Sequence, residues 1–208
     1  MNINYDAVNR TQYYSLIAML SATAGAMTLA HLEFPFPLLP FLQFDLAEVP
    51  DTVAFMLLGP AGGLLTLLIH TLILYTHGSF TVFSPIFKFL AVSPMFLGMY
   101  IGGSLSKNWS KKSRYIIIIL LGTTMRVIVD LFATLALYFV IMPSLYLPTA
   151  NLAMSIVGIH ISNPFEIALF LSGITSLFNL IAAPITIILS YAVMGALGKR
   201  VKGASKFL

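Results

Sequence analysis

Apolar residues fill long runs of the chain, broken by short polar connections, and several runs reach membrane-spanning length. About 20 apolar residues cross a bilayer as a helix, and Tyr13 to Leu32 is such a run. A shorter piece, Asp51 to Leu58, stops at Gly59-Pro60. Proline suits the first turn of a helix and breaks its interior. The Gly59-Pro60-Ala61-Gly62-Gly63 stretch therefore predicts a tight break between a half-length helix entering the bilayer and a second helix, Ala61 to Tyr75, leaving it. An outer connection at His77-Gly78-Ser79 leads to a helix from Pro85 to Ser104, and another runs from Arg114 to Met142. Ser144 to Asn163 mixes in turn residues and makes a poor span. Pro164 to Ile174 predicts a short outer helix, and Leu177 to Leu197 the last span. The expected fold is an all-α integral membrane protein. It is a six-helix transmembrane bundle with a short second helix and long outer loops, residues 1–208 forming one domain. No internal repeat is visible, which argues against an inverted-repeat carrier.

Composition supports the same class. Hydrophobic residues make up 59% of the chain and charged residues 9%, where a soluble domain carries roughly a quarter charged. The polar Met1 to Thr11 segment lacks the basic start and cleavage site of a signal peptide, so the first helix is expected to be retained. Without cysteine there is no disulfide framework, thiolate nucleophile or cysteine metal site.

The net charge of +4 follows membrane topology and does not suggest nucleic-acid binding. Lys107, Lys111, Lys112 and Arg114 share one short loop, and Lys199, Arg200, Lys202 and Lys206 the tail. Such excess marks the cytoplasmic side. Glu33, Asp45, Glu48, Asp51 and Glu166 are then expected in outer connections. Only with the break at Gly59-Pro60 do the basic loop and both termini fall on the cytoplasmic side.

Candidate chemistry is sparse. No nucleophile elbow, HExxH or Walker loop is present, so no catalytic residue is assigned and active transport would draw on a partner or an ion gradient. The histidines are scattered and suggest no metal site. His31, His77 and His160 suit the outer boundary as amphipathic rings, while His70 lies deeper, as a core residue or a cavity-facing donor. Arg126 and Asp130, four apart on one helix, can pair; intramembrane charge otherwise marks function. Lys88 has no acidic neighbour three or four residues away, and either snorkels to headgroups or points into an outward cavity. Ala18, Ala22, Ala26 and Ala30 make one helix face almost bare backbone. Such a face packs closely, either within the bundle or against a partner.

Several stretches, in this order, resemble the substrate-binding S component of energy-coupling-factor (ECF) vitamin transporters, most closely the riboflavin-specific type. They are the Ala18-x-x-x-Ala22-x-x-x-Ala26 face, Pro40-Phe-Leu-Gln-Phe-Asp-Leu-Ala-Glu-Val-Pro50 and Leu58-Gly-Pro-Ala-Gly62. Tyr138-Phe-Val-Ile-Met-Pro143 and Leu177-Phe-Asn-Leu-Ile-Ala-Ala-Pro184 complete the set. The resemblance covers Ser15 to Tyr191. It implies a cell-membrane protein that is no enzyme and has no cofactor, binding one vitamin from outside. Its implied partners are a transmembrane coupling subunit, docked on Ala18, Ala22 and Ala26, and two ATP-hydrolysing subunits. The Pro40–Pro50 loop would be lid and wall of the pocket. Phe41, Leu42, Phe44 and Phe178 would supply apolar or stacking walls, and Gln43, Asp45, Lys88 and Asn179 directional contacts.

Three departures bear on the substrate. The riboflavin type has Lys-Asn where this chain has His70-Thr71, Asn where it has Leu137, and Lys where it has Ala182. Lys88, at a position commonly Asn, could replace a donor. Riboflavin leads, with another flavin precursor, folate, a pyridoxine-like vitamin or a queuosine precursor as alternatives within the family. An integral membrane enzyme or a stand-alone ion-coupled carrier is the alternative outside it.

Overall fold

A computed structural model describes residues 9–76, 83–141, 154, 158, 161 and 163–198, the side chains at 40, 41, 141 and 198 excepted. The first helix, α1, is Arg10–Leu29, three residues earlier at each end than the apolar run suggested. Gln12 begins it by accepting the Asn9 backbone N–H at 3.3 Å.

The chain then turns at His31, in the left-handed region (φ 52°), into two strands. Strands β1 (Glu33–Phe36) and β2 (Leu39–Asp45) form an antiparallel ribbon, pairing Glu33 with Asp45, Phe34 with Phe44 and Pro35 with Gln43. The all-α expectation is corrected here: residues 33–45 are a β-ribbon, not a loop. The ribbon is irregular: residues two apart share a face in a regular strand, but a register shift between Pro35 and Phe36 turns Phe36 away from the side that Phe34 takes. Phe34 is exposed and Phe36 buried. Prolines at 35, 37 and 40 disguised the ribbon. They are tolerated because each strand of a two-stranded ribbon is an edge, with one side free of ladder bonds.

Helical stretch α2, Glu48–Thr76, folds back on itself at Gly59 (φ 80°, ψ −174°). In a straight helix Asp51 and His70 would stand about 28 Å apart, yet His70 Nδ1 lies 2.6 Å from Asp51 Oδ2. A Cβ added to Gly63 would lie 2.5 Å from the Phe55 Cβ. The arms 48–58 and 60–76 are therefore antiparallel, as the Gly-Pro break predicted. The positive φ selects glycine at 59, and Pro60 takes the first helical position of the returning arm. The entering arm starts three residues earlier than expected. Glu48 and Asp51 are consequently buried helical residues, not members of an outer connection.

Helix α1 runs parallel to the returning arm. Ser21 Oγ meets the Thr66 carbonyl at 3.5 Å, and Gly25 faces Ile73. Two adjacent parallel helices need a return between them, which the ribbon and the entering arm provide. Helices α3 (Ser84–Leu105) and α4 (Lys111–Ala136) form a hairpin. Gly98 makes its close approach possible: a Cβ there would sit 2.2 Å from the Leu121 carbonyl oxygen. Ser110 caps α4, accepting the Ser113 N–H at 3.2 Å, and the helix widens into a π-turn at Leu137–Ile141. The remainder of its expected span, to Met142, lies outside the described residues, as does most of 144–163.

Helix α5 is continuous over Pro164–Gly198. The expected division into an outer helix and a separate span is thereby corrected. In lipid every free backbone group is costly, so Gly173 and its neighbours stay helical. Helix α5 runs antiparallel to α4, with Tyr115 and Tyr191 rings 3.8 Å apart at one end and Arg126 bonded to Asn179 further along. Inside, Phe55 stacks on Phe96 at 4.9 Å. Outside, Leu97, Leu120, Phe132 and Leu180 are exposed, as lipid-facing side chains are. By length and apolar composition α3, α4 and α5 are long enough to cross a membrane; the 29 apolar-rich residues of α2 reach that length only as the sum of its two arms. Gly59, Pro60, Arg114 and Tyr191 gather at one end; the ribbon covers the other, against Phe178.

Candidate functional site

The ribbon is seated on α5 by aromatic rings. Phe36 and Phe44 lie 5.5 and 4.9 Å from Phe178, centroid to centroid, and 5.9 Å from each other. Ala182 completes this buried cluster, with Leu42 and Ile174 packed against it. A charge pair closes the other side. The Lys88 ammonium, on α3, pairs with Asp45 at the end of β2. The second Asp45 oxygen accepts the Ala47 N–H at 2.7 Å, fixing the turn into α2. Lys88 thus neither snorkels to headgroups nor stands as a free donor: the ribbon brings it a partner 43 residues distant in sequence.

Below the ribbon lies a buried polar network. Arg126 holds Glu48 with a two-pronged contact, Nη1 to Oε2 at 2.6 Å and Nη2 to Oε1 at 3.0 Å. Its Nε donates to Asn179 Oδ1 at 2.7 Å, and Asn179 Nδ2 donates to Asp130. Thr186 adds a bond to Glu48 at 3.2 Å. The expected Arg126–Asp130 pair is therefore corrected. Arg126 pairs with Glu48, and Asn179 stands between Arg126 and Asp130. The planar guanidinium fork matches a carboxylate edge-on, and the entering arm presents Glu48 in that orientation. The network ties α2, α4 and α5 together.

A second polar line links α1 to both arms of α2. His70 Nδ1 meets Asp51 at 2.6 Å, and Nε2 meets Thr28 Oγ1 at 2.9 Å. The order hydroxyl, imidazole, carboxylate is that of a hydrolase triad. Thr28 is only 4% exposed and His70 not at all, so a reactant has no approach. His70 is a staple between helices, which removes it as a cavity-facing donor.

The remaining expected site residues divide. Asn179 and Phe178 lie side by side, one in the polar network and the other in the aromatic seat. Gln43 is exposed, its amide beside the Glu33 carboxylate, to which it donates at 2.9 and 3.2 Å once the amide is oriented with nitrogen toward the acid. The Phe41 side chain, His77 and His160 lie outside the described residues. His31 is exposed, 3.7 Å from Glu33. Of the departure positions, Leu137 packs with Tyr138 beside Leu39 and Ala182 lies against Phe36 and Phe178. Sequence reasoning missed Glu48 and Phe36; the acidic residue sat in an apparent loop, and the ribbon that buries Phe36 was not foreseen.

Ala18, Ala22 and Ala26 are exposed, while Ile17, Ser21, Ala24, Gly25 and Thr28 face the bundle. The small-residue ladder therefore turns outward and does not pack internally. A cavity of about 40 Å³, room for little more than water, lies at the opposite end from the ribbon, beside Gly59, Pro60, Arg114 and Tyr191.

No protein-family model matches the chain. Among curated proteins it is 29% identical over 175 residues, 84% of this chain and 85% of the relative, to the riboflavin transporter RibU of Staphylococcus aureus (strain TCH60). Among solved structures it matches the S component of a bacterial ECF transporter with a TM-score of 0.68 and 25% identity, covering 93% of this chain and 99% of that one. The resemblance read from the motifs holds in both comparisons: the chain is like an ECF S component, most like the riboflavin type. These relatives are transport proteins and not enzymes.

Proposed function

We propose that this chain is the vitamin-binding S component of an ECF importer and that it takes up riboflavin or a related flavin. One observation supports this most: an aromatic-faced ribbon closes one end of the bundle directly over the Glu48–Arg126–Asn179–Asp130 network. A flat, apolar ring system with a polar chain needs that combination of walls and placed hydrogen-bonding groups. In this reading the ribbon is the lid, and the Asp45–Lys88 pair is its latch. The whole chain acts as one substrate-binding domain in the cell membrane. Both termini and the basic connection before α4 lie on the cytoplasmic side, where lysine and arginine accumulate. The ribbon then faces outward, where a vitamin arrives.

The outward alanine ladder of α1 supports docking of a transmembrane coupling subunit, with two ATP-hydrolysing subunits supplying energy. Close helix approach in lipid depends on such bare faces. Contact with the vitamin is assigned to Leu42, Phe44 and Phe178 as walls and to Asn179 as a polar contact, with Asp45 and Lys88 acting first through the lid. Phe41 belongs to the same strand and is kept as a candidate wall.

Another vitamin of the same family remains the second reading, favoured by Leu137 and Ala182, apolar where the riboflavin type carries Asn and Lys. An absorption spectrum of the purified, detergent-solubilised protein decides between them. Near-stoichiometric flavin absorbance is expected. A colourless protein that also fails to quench the fluorescence of added riboflavin would overturn the flavin assignment.

A further inference from the structure

Buried hydroxyls in this protein follow a rule with a few exceptions. Thr66, Thr71, Thr134, Thr175 and Ser190 each donate to the carbonyl four residues back, at 2.5–2.9 Å. That is the usual resting bond of a hydroxyl in a membrane helix. Ser172 and Ser176 on α5 do not make it. Their Oγ atoms are shielded from the surface and have no hydrogen-bond partner among the described residues, and Ser172 as a whole is 1% exposed. An unsatisfied buried hydroxyl is a standing cost, removed when a ligand brings the missing partner.

Their position is specific. Ser172 and Ser176 are four apart and so share a face of α5, with Asn179 close to the same line. At 1.5 Å per residue the three span about 10 Å along the helix. The antiparallel register of α4 and α5, Tyr115 beside Tyr191 and Arg126 beside Asn179, carries Ser176 and Ser172 past Asp130 toward the π-turn at Leu137–Ile141. That is the ribbon end. Phe178 and Leu171 mark the same level of α5, on a face roughly 100° round the helix from the serine line: Phe178 touches Phe36 and Phe44, and Leu171 belongs to the cluster containing Leu39. Thr123 is a further unpartnered hydroxyl, but it precedes Arg126 on the far side of the network and does not join this line.

We infer that Ser172 and Ser176 form a subsite for the hydroxylated side chain of the vitamin, with Asn179 at its inner end. This rests on the flavin reading and deepens it: the aromatic seat takes the ring and the serine ladder takes the polyol. A polyol offers donors and acceptors at successive carbons, which suits a row of hydroxyls lacking partners. The ladder would supply polar contacts to a polyol where Leu137 and Ala182 offer none.

The test compares riboflavin with lumiflavin, which keeps the tricyclic ring and carries a methyl group in place of the polyol. Both are titrated by flavin fluorescence quenching against the wild type, Ser172→Ala, Ser176→Ala and the double variant. Each single change is expected to weaken riboflavin about tenfold, and the double on the order of a hundredfold, with lumiflavin affinity unchanged. Unchanged lumiflavin binding also shows that the variants are folded. Equal riboflavin affinity in all four proteins would overturn the serine subsite and leave the flavin reading standing. So would equal weakening of both ligands, which marks a packing role. A wild type that binds neither flavin overturns the flavin reading itself, and the subsite with it.

Discussion

Glu48→Gln isolates the pair on which the network depends. Glu48 is 5% and Arg126 2% exposed, and the two are joined by contacts at 2.6 and 3.0 Å. Removing one partner of a buried ion pair costs about 3–5 kcal/mol, because the other charge stays behind uncompensated. Here Arg126 keeps its bond to Asn179 at 2.7 Å, and Asp130 lies just beyond that amide, so the loss falls near the lower end, about 3 kcal/mol. For a chain of this size 1 kcal/mol moves Tm by roughly 2–4 °C, and the expected drop is about 6–12 °C. Combining Glu48→Gln with Arg126→Met should cost less than the sum of the two singles, since neither member of the pair is then left charged without the other, while Asp130 and Asn179 still lose their cation. Thermal unfolding of ligand-free protein in detergent, read by tryptophan fluorescence and the soluble fraction, measures each arm of the cycle. The reasoning fails if Glu48→Gln moves Tm by less than about 2 °C, or if the double variant loses the sum of both singles. A larger drop for Asp130→Asn than for Glu48→Gln would restore Asp130 as the principal partner of Arg126.

Three further outcomes follow from other contacts. His70→Phe removes two buried hydrogen bonds, to Asp51 and Thr28, and should cost about 2–4 kcal/mol, while Thr28→Val costs about 1; comparable Tm losses for the two would show that the Asp51 contact contributes nothing. Lys88→Met frees Asp45 and loosens the ribbon, so riboflavin should dissociate on the order of tenfold faster in stopped-flow displacement; an unchanged off-rate removes the latch. Ala22→Leu places bulk on the outward face of α1. Flavin binding should stay within about twofold of wild type, as for a surface change, while the coupling and ATPase subunits no longer co-purify; normal co-purification would move the docking surface elsewhere.

The re-entrant hairpin was legible because its cause is local. Gly59 and Pro60 adjoin, one suited to a positive φ and the other unable to continue a helix, so the break and the reversal were both readable. The outward ladder was half legible. Fourfold spacing shows that Ala18, Ala22 and Ala26 share a face, but only packing shows which face, since Ser21, Gly25 and Thr28 make an equally small-residue stripe that turns inward. The ribbon was hidden because its prolines read as loop and because its stability comes from Phe178, more than a hundred residues later. The continuous α5 was misread for the opposite reason: a glycine that would loosen a helix in water is held helical in lipid.

Sequence by itself thus determined the membrane setting, most of the helices, the reversal at Gly59-Pro60 and the likeness to riboflavin-type S components. Each follows from composition or from neighbours along the chain. Tertiary structure decided the partners. Lys88 found Asp45, Arg126 found Glu48 in preference to Asp130 four residues away, and His70 turned from the cavity to Asp51 and Thr28. Spacing along a helix states which contacts are possible. Which one forms depends on where a fold-back places a distant carboxylate, and only the assembled bundle contains that information.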